Sequence, residues 1–153
     1  MPTVEERLAA MGLTVHEVIP PVAAYVPAVV SGRYVYTAGQ LPFVDGVLAE
    51  TGKVGAEVTP ERANELAAIC ALNAIAAVKS VVPLESVVRV VKVVGFVASA
   101  PDFTGQPGVM NGASNLLLEA FGENGSHARS AVGVAVLPLD APVEVELIVE
   151  VAD

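Results

Sequence analysis

The chain has 153 residues, and 54% of them are apolar before glycine is counted, enough for one domain whose core needs neither disulfides nor metal. Its 8 Lys and Arg stand against 17 Asp and Glu, and the resulting net charge of −9 repels the phosphate backbone, so no nucleic-acid partner is expected. No run of about 18 apolar residues is free of both charge and proline, no basic leader precedes an apolar stretch, and the lone Cys70 has no partner thiol; a cytoplasmic protein that neither spans a membrane nor is exported is expected.

Thr3-Val4-Glu5-Glu6 reads as a capping box, and Val4, Leu8 and Met11 follow at helical spacing until Gly12, which predicts a short amphipathic helix within residues 1–13. From Val22 to Val30, and again from Tyr34 to Ala38, β-branched and aromatic residues dominate on either side of Ser31-Gly32-Arg33. That pattern predicts a hairpin, with Pro27 confining its first strand to an edge or a bulge. Gly39 to Gly55 carries Asp45-Gly46 and Thr51-Gly52 and reads as a loop with room for one short strand.

Thr59-Pro60 is a cap with proline at the first helical position, opening an alanine-rich helix to about Val82, before Pro83. Ala63, Leu66, Ala67, Cys70, Ala74 and Ala77 give it a small-residue face that can approach a sheet closely. Val87 to Ala98 is too rich in valine to prefer helix. Its two charges, Arg89 and Lys92, break period-two alternation, which predicts a central strand covered on both faces. After a loop from Asp102 to Gly108, helical spacing resumes from Val109 to Phe121 and stops at Gly122. Ala128 to Val136 and Val143 to Val151 are the last strands. In the final one Val143, Val145, Leu147, Val149 and Val151 share one face, while Glu144, Glu146, Ile148 and Glu150 share the other.

The expected architecture is one α+β domain over residues 1–153, with two long helices on one face of a single sheet. The other face mixes carboxylates and valines, which suits burial against copies of the same chain and predicts a closed homo-oligomer.

Between Val93 and Asp153 there are eight acidic residues and one basic residue, Arg129, set in the apolar segment Arg129-Ser130-Ala131-Val132-Gly133-Val134-Ala135. A guanidinium there needs a partner. A structural ion pair with Glu144, Glu146 or Glu150 would supply one, and a ligand carboxylate would supply the other.

That segment, continued by Val136-Leu137-Pro138 and then Ala141-Pro142-Val143-Glu144-Val145-Glu146, resembles the C-terminal signature of the Rid family, the YjgF-like reactive-intermediate deaminases. Tyr25, Gly32 and Thr37-Ala38-Gly39-Gln40-Leu41-Pro42 resemble the family's first hairpin and its glycine-glutamine-hydrophobe-proline turn. The resemblance implies a homotrimer of chorismate-mutase-like α+β subunits, each with a single mixed sheet, and with small-molecule sites in the clefts between subunits. It implies hydrolysis of 2-enamine and 2-imino acids to 2-keto acids and ammonia, with no cofactor and no metal. Carried residue by residue, it makes Arg129 the clamp on a substrate carboxylate and Glu144 the group that positions or activates water, while Tyr25, Ala38, Gly39, Asn115 and Ala131 line the pocket.

Deaminating relatives carry a serine where Ala38 stands and often a cysteine where Ala131 stands, so the match is to a divergent member. The stretch Thr104 to Ser114 is longer than the family's, which leaves Asn111 in competition with Asn115. A trimer that binds small carboxylates without turnover is the alternative function, and ribonuclease activity, found in the family's naming, is opposed by the acidic balance. If the last two strands paired as a plain hairpin, Arg129 would lie opposite Glu150, roughly 20 Å from Glu144 at ~3.4 Å per residue. The two could then share a pocket only across a subunit boundary. His127 reads as a loop residue, His16 as structural, Gly39 as a conformational glycine and Cys70 as a small buried hydrophobe.

Overall fold

A computed structural model describes residues 1–18 and 23–153. The first helix, α1 (Val4–Ala10), is capped as its sequence dictates: Thr3 Oγ1 accepts from the Glu6 amide at 3.1 Å, and the Glu6 carboxylate accepts from the Thr3 amide at 2.8 Å. The hairpin pairs β1 (Ala28–Ser31) with β2 (Tyr34–Thr37). Val22 lies outside the described residues, and Ala23 to Pro27 are not in strand, so β1 is shorter than expected; the Pro27 carbonyl still accepts the Ala38 amide at 2.8 Å. The following loop holds two short strands rather than one, β3 (Phe43–Val44) and β4 (Val47–Leu48), turned by Asp45 and Gly46, both at positive φ.

Helix α2 (Pro60–Lys79) buries Ala63, Leu66, Ala67, Cys70, Ala74 and Ala77, the face its spacing predicts. Strand β5 spans Val87–Ala98. Helix α3 (Gln106–Phe121) begins three residues before the expected Val109, because Pro107 in its first turn gives up an N–H that would have no partner there. Strands β6 (Ala128–Val134) and β7 (Val143–Val151) complete the chain.

The main sheet has the order β1-β2-β7-β5-β6. It is mixed: the α3 crossover makes β6 parallel to β5, and every other pairing is antiparallel. The last two strands therefore do not form a hairpin, since β5 lies between them. Arg129 pairs with Val93, which pairs in turn with Leu147, so Arg129 is level with Leu147 and not with Glu150.

Both long helices cover one sheet face, where Val35, Val90, Val93, Val97, Leu147 and Val149 are buried. The expected two-sided cover of β5 is not found in the protomer. Register shifts between Val87 and Arg89 and between Val90 and Lys92 break the alternation instead, and the strand's uncovered side leaves Val88 and Arg89 exposed. On the open face Val29, Tyr34, Tyr36 and Val132 also meet solvent. Among the described residues no helix is long and apolar enough to cross a membrane.

Candidate functional site

Arg129 stands on the edge strand β6, on the helix-covered side of the sheet, and its guanidinium reaches α3. Nη1 donates to Asn111 Oδ1 at 2.9 Å and to Ser114 Oγ at 3.2 Å. Both partners are neutral. Among the described residues no carboxylate comes within ion-pair distance, because Glu144, Glu146 and Glu150 project from the opposite face of the sheet. The structural ion pair is thus excluded by the pleat: residues three apart on a strand, such as Glu144 and Leu147, point to opposite sides.

Behind Arg129 the chain of contacts continues. Ser114 Oγ lies 2.9 Å from His127 Nε2, and His127 Nδ1 lies 2.6 Å from the Gly125 carbonyl oxygen. Neither residue was singled out by sequence as part of the site. Ser114 carried a readable signal, since it falls on the buried α3 stripe with Met110, Ala113 and Leu117, where a hydroxyl requires a partner. His127 carried none beyond being near Arg129 in sequence. Asn111, not Asn115, lies against the guanidinium; Asn115 is exposed and lines a groove of about 480 Å³ between α2 and α3, with Arg62, Ile69 and Glu119.

A second cluster forms around Glu144 on β7. Gln40 is bridged to Val145 by two main-chain hydrogen bonds of 2.8 and 3.0 Å, which lays the Ala38-Gly39-Gln40 segment along β7. Gly39 there has no positive φ. It is glycine because a Cβ at that position would overlap the Glu144 carboxylate, so its role is close approach and not the conformational freedom expected. Burial pushes the Glu144 carboxyl above its ordinary value, and the neighbouring Glu146 charge adds to the shift. The buried Cys70 thiol, under the same strand, is also raised, first by burial and then by Glu144.

The two clusters do not meet within one protomer. Glu144 pairs with Phe96, three residues along β5 from the Arg129 partner Val93 and two strands across from β6. That separation is about 10 Å in each direction, with the side chains on opposite faces. Tyr25, 58% exposed, precedes β1 at the far edge of the sheet, four strand spacings or about 19 Å from β6. Ala131 sits two residues from Arg129, on the same side, and packs against the core. Each protomer thus carries an arginine half, with Arg129 and Ala131, and a glutamate half, with Ala38, Gly39 and Glu144. Among the described residues no three His, Cys, Asp or Glu side chains converge as metal ligands.

Residues 5–151 match the family described as "YjgF/chorismate mutase-like, putative endoribonuclease". The Trypanosoma cruzi protein TCP17 is 42% identical over 149 residues, which are 96% of this chain and 93% of that protein. The crystal structure of Atu1372 from Agrobacterium tumefaciens is 45% identical and overlays with a TM-score of 0.91, covering 99% of this chain and 94% of that one. E. coli TdcF, solved with bound serine, is a looser match at 26% identity and a TM-score of 0.55, covering 87% of this chain and 92% of that one. The chain belongs to the YjgF/chorismate mutase-like, or Rid, family, as a divergent member whose fold follows Atu1372 and not as a near copy of RidA.

Proposed function

We propose that the protein hydrolyses 2-enamine and 2-imino acids to 2-keto acids and ammonia, in clefts where the arginine half of one protomer meets the glutamate half of the next in a homotrimer. The observation that carries this reading is the state of Arg129. Both N–H bonds of Nη1 go to neutral oxygens, and the Nη2 and Nε donors have no partner among the described residues. That edge of the guanidinium is the fork that takes a carboxylate in two parallel hydrogen bonds. Serine bound to TdcF, a relative of the same fold, is consistent with a small carboxylate as the ligand.

The chemistry asks little more of the protein. The imine carbon is already electrophilic, so holding the carboxylate fixes it for attack. Glu144, whose carboxyl burial raises above its ordinary value and so makes a stronger base, takes a proton from the attacking water as the C–O bond forms. It returns that proton to nitrogen, giving the carbinolamine, then takes the carbinolamine hydroxyl proton and hands it to nitrogen as the C=O bond forms, the C–N bond breaks and ammonia leaves. No cofactor enters the balance: imine and water give ketone and ammonia.

Ala38 and Ala131 favour a second reading, a trimer that binds small carboxylates without turnover, because each puts a methyl group where deaminating relatives carry a hydroxyl or a thiol. The two readings separate when purified protein is added to freshly generated 2-iminopropanoate and pyruvate formation is followed, beside Arg129→Ala. Turnover that disappears in the variant supports hydrolysis. A wild type no faster than buffer ends that reading, and stabilisation by pyruvate without turnover then supports the binding module. The ribonuclease activity in the family's description is opposed here by the −9 charge, and RNA cleavage that survives purification would reverse that judgement.

A further inference from the structure

His127 and Ser114 tie Arg129 into a chain of hydrogen bonds that ends on the main chain, and the chemistry of its end atoms fixes the role of each member. The Gly125 carbonyl oxygen can only accept, so His127 Nδ1, 2.6 Å away, carries a proton. In the neutral ring Nε2 is then bare, and the group 2.9 Å from it, the Ser114 hydroxyl, is the donor. With its proton committed to His127, the Ser114 oxygen turns only lone pairs towards Arg129 Nη1 at 3.2 Å. The anchor lies tight against the end of α3, where a Cβ at Gly125 would overlap the Leu117 carbonyl.

A serine inside a helix ordinarily turns its hydroxyl back to the carbonyl one turn earlier. Here the buried hydroxyl is taken by an imidazole from the loop after α3, and the guanidinium is the beneficiary. Asn111 also holds Nη1, but it is exposed and open to competition from water, whereas the Ser114 contact is shielded.

We propose that Ser114 and His127 are positioning residues that hold Nη1 of Arg129 so that Nη2 and Nε face the ligand carboxylate. The proposal rests on the reading of Arg129 as a carboxylate clamp, and its test is arranged to fail separately from that reading. Nitrogen-15 NMR of the wild-type imidazoles at about pH 8.5, where an imidazole is neutral, needs no ligand. The neutral His127 ring is expected to carry its proton on Nδ1; a proton on Nε2 overturns the relay. Calorimetric titration with pyruvate then compares wild type with Arg129→Ala, Ser114→Ala, His127→Ala and His127→Gln. Ser114→Ala and His127→Ala are expected to weaken pyruvate binding about three- to tenfold, the effect of one lost hydrogen bond. His127→Gln is expected to restore most of it, because its amide oxygen can take the Ser114 proton. Pyruvate is also expected to move the His127 Nε2 resonance in wild type and not in Ser114→Ala. If Arg129→Ala loses pyruvate while the Ser114 and His127 variants bind as wild type, the relay proposal fails alone. If Arg129→Ala binds as wild type, or wild type binds no pyruvate, the clamp reading fails and the proposal built on it falls too.

Discussion

The main chain at Gly39 runs so close to Glu144 that a methyl group at position 39 would occupy the space of the carboxylate. The obstacle is the far end of a flexible side chain, and Gly39 has no positive φ, so alanine is compatible with the backbone. Gly39→Ala is therefore expected to fold, at a stability cost of about 1 kcal/mol, while swinging the Glu144 carboxylate out of place. If Glu144 handles the proton of water, 2-iminopropanoate hydrolysis should fall on the order of 100-fold, with pyruvate binding at Arg129 little changed. A variant with full turnover would remove Glu144 from the reaction.

Glu144 also makes stability depend on pH. Burial first, and Glu146 second, hold its folded-state pKa above the ordinary 4.5. Between those two values the folded chain retains a proton that the unfolded chain has released. The stabilisation is complete below the ordinary value and is lost as pH rises through the folded one. Glu144→Gln cannot lose it, so the variant should gain stability relative to wild type as pH rises from about 4 through the range above an ordinary glutamate. Thermal melts of both proteins across that range check the sign. A constant difference would mean that the carboxyl is not raised. Any hydrolysis by the wild type should likewise lose its acid limb above the range of an ordinary glutamate.

The asparagines separate by geometry. Asn111 Oδ1 accepts from Arg129 Nη1 at 2.9 Å, whereas Asn115 lines the groove between α2 and α3. Asn111→Ala should weaken pyruvate binding about threefold, at the low end for an exposed hydrogen bond, and Asn115→Ala should leave it unchanged. The reverse result would place the ligand in the α2–α3 groove.

What the sequence made legible was whatever depends on local chemistry. The Thr3 and Thr59 caps, the alanine face of α2, the run Val87–Ala98 and the two faces of β7 follow from propensity and period. Strand order did not follow, because nothing local in Ala128 to Val151 says that β5 will insert between the last two strands. The broken alternation around Arg89 and Lys92 has two readings for a related reason: bulges and two-sided burial leave the same mark on a sequence, and within one chain the bulges account for it. Arg129 and Glu144 were legible as unusual residues, yet their projection from opposite faces depends on register across three strands. Ser114 was legible as a hydroxyl on a buried stripe in need of a partner, but nothing local names His127, on another element, as that partner.

Helix packing supplies a test of the fold that is independent of function. A Cβ at Gly112 on α3 would overlap the main-chain carbonyl of Asn64 on α2, and a main-chain atom cannot turn aside as the Glu144 side chain can. Gly112→Ala should push the helices apart at a cost of about 2–3 kcal/mol. In a chain of this length that corresponds to a fall of about 5–10 °C in Tm. A melt within a degree or two of wild type would show that α2 and α3 do not pack this closely.

The proposed cleft between protomers needs the open sheet face to meet a second copy. Val132, 44% exposed, shares that face with Phe96 and Glu144, to which the ladders of β5 align it. Val132→Glu adds a carboxylate to the face that already carries Glu144 and Glu146, two strands away, and touches nothing in the protomer's core, so the isolated fold should keep its secondary structure. Burying that face against a second copy would strand the new charge without a partner, a desolvation cost of several kcal/mol that a subunit contact does not survive. Sizing should therefore show a trimer for wild type and a monomer for the variant. The His127 ring should keep its Nδ1 proton in both, because the Arg129 chain lies wholly within one protomer. Turnover should vanish in the monomer, since Arg129 and Glu144 of a single chain stand two strands apart on opposite faces. A monomeric wild type that hydrolyses imines at full rate would mean that one chain closes a site by itself, and the cleft between protomers would have no part in the chemistry.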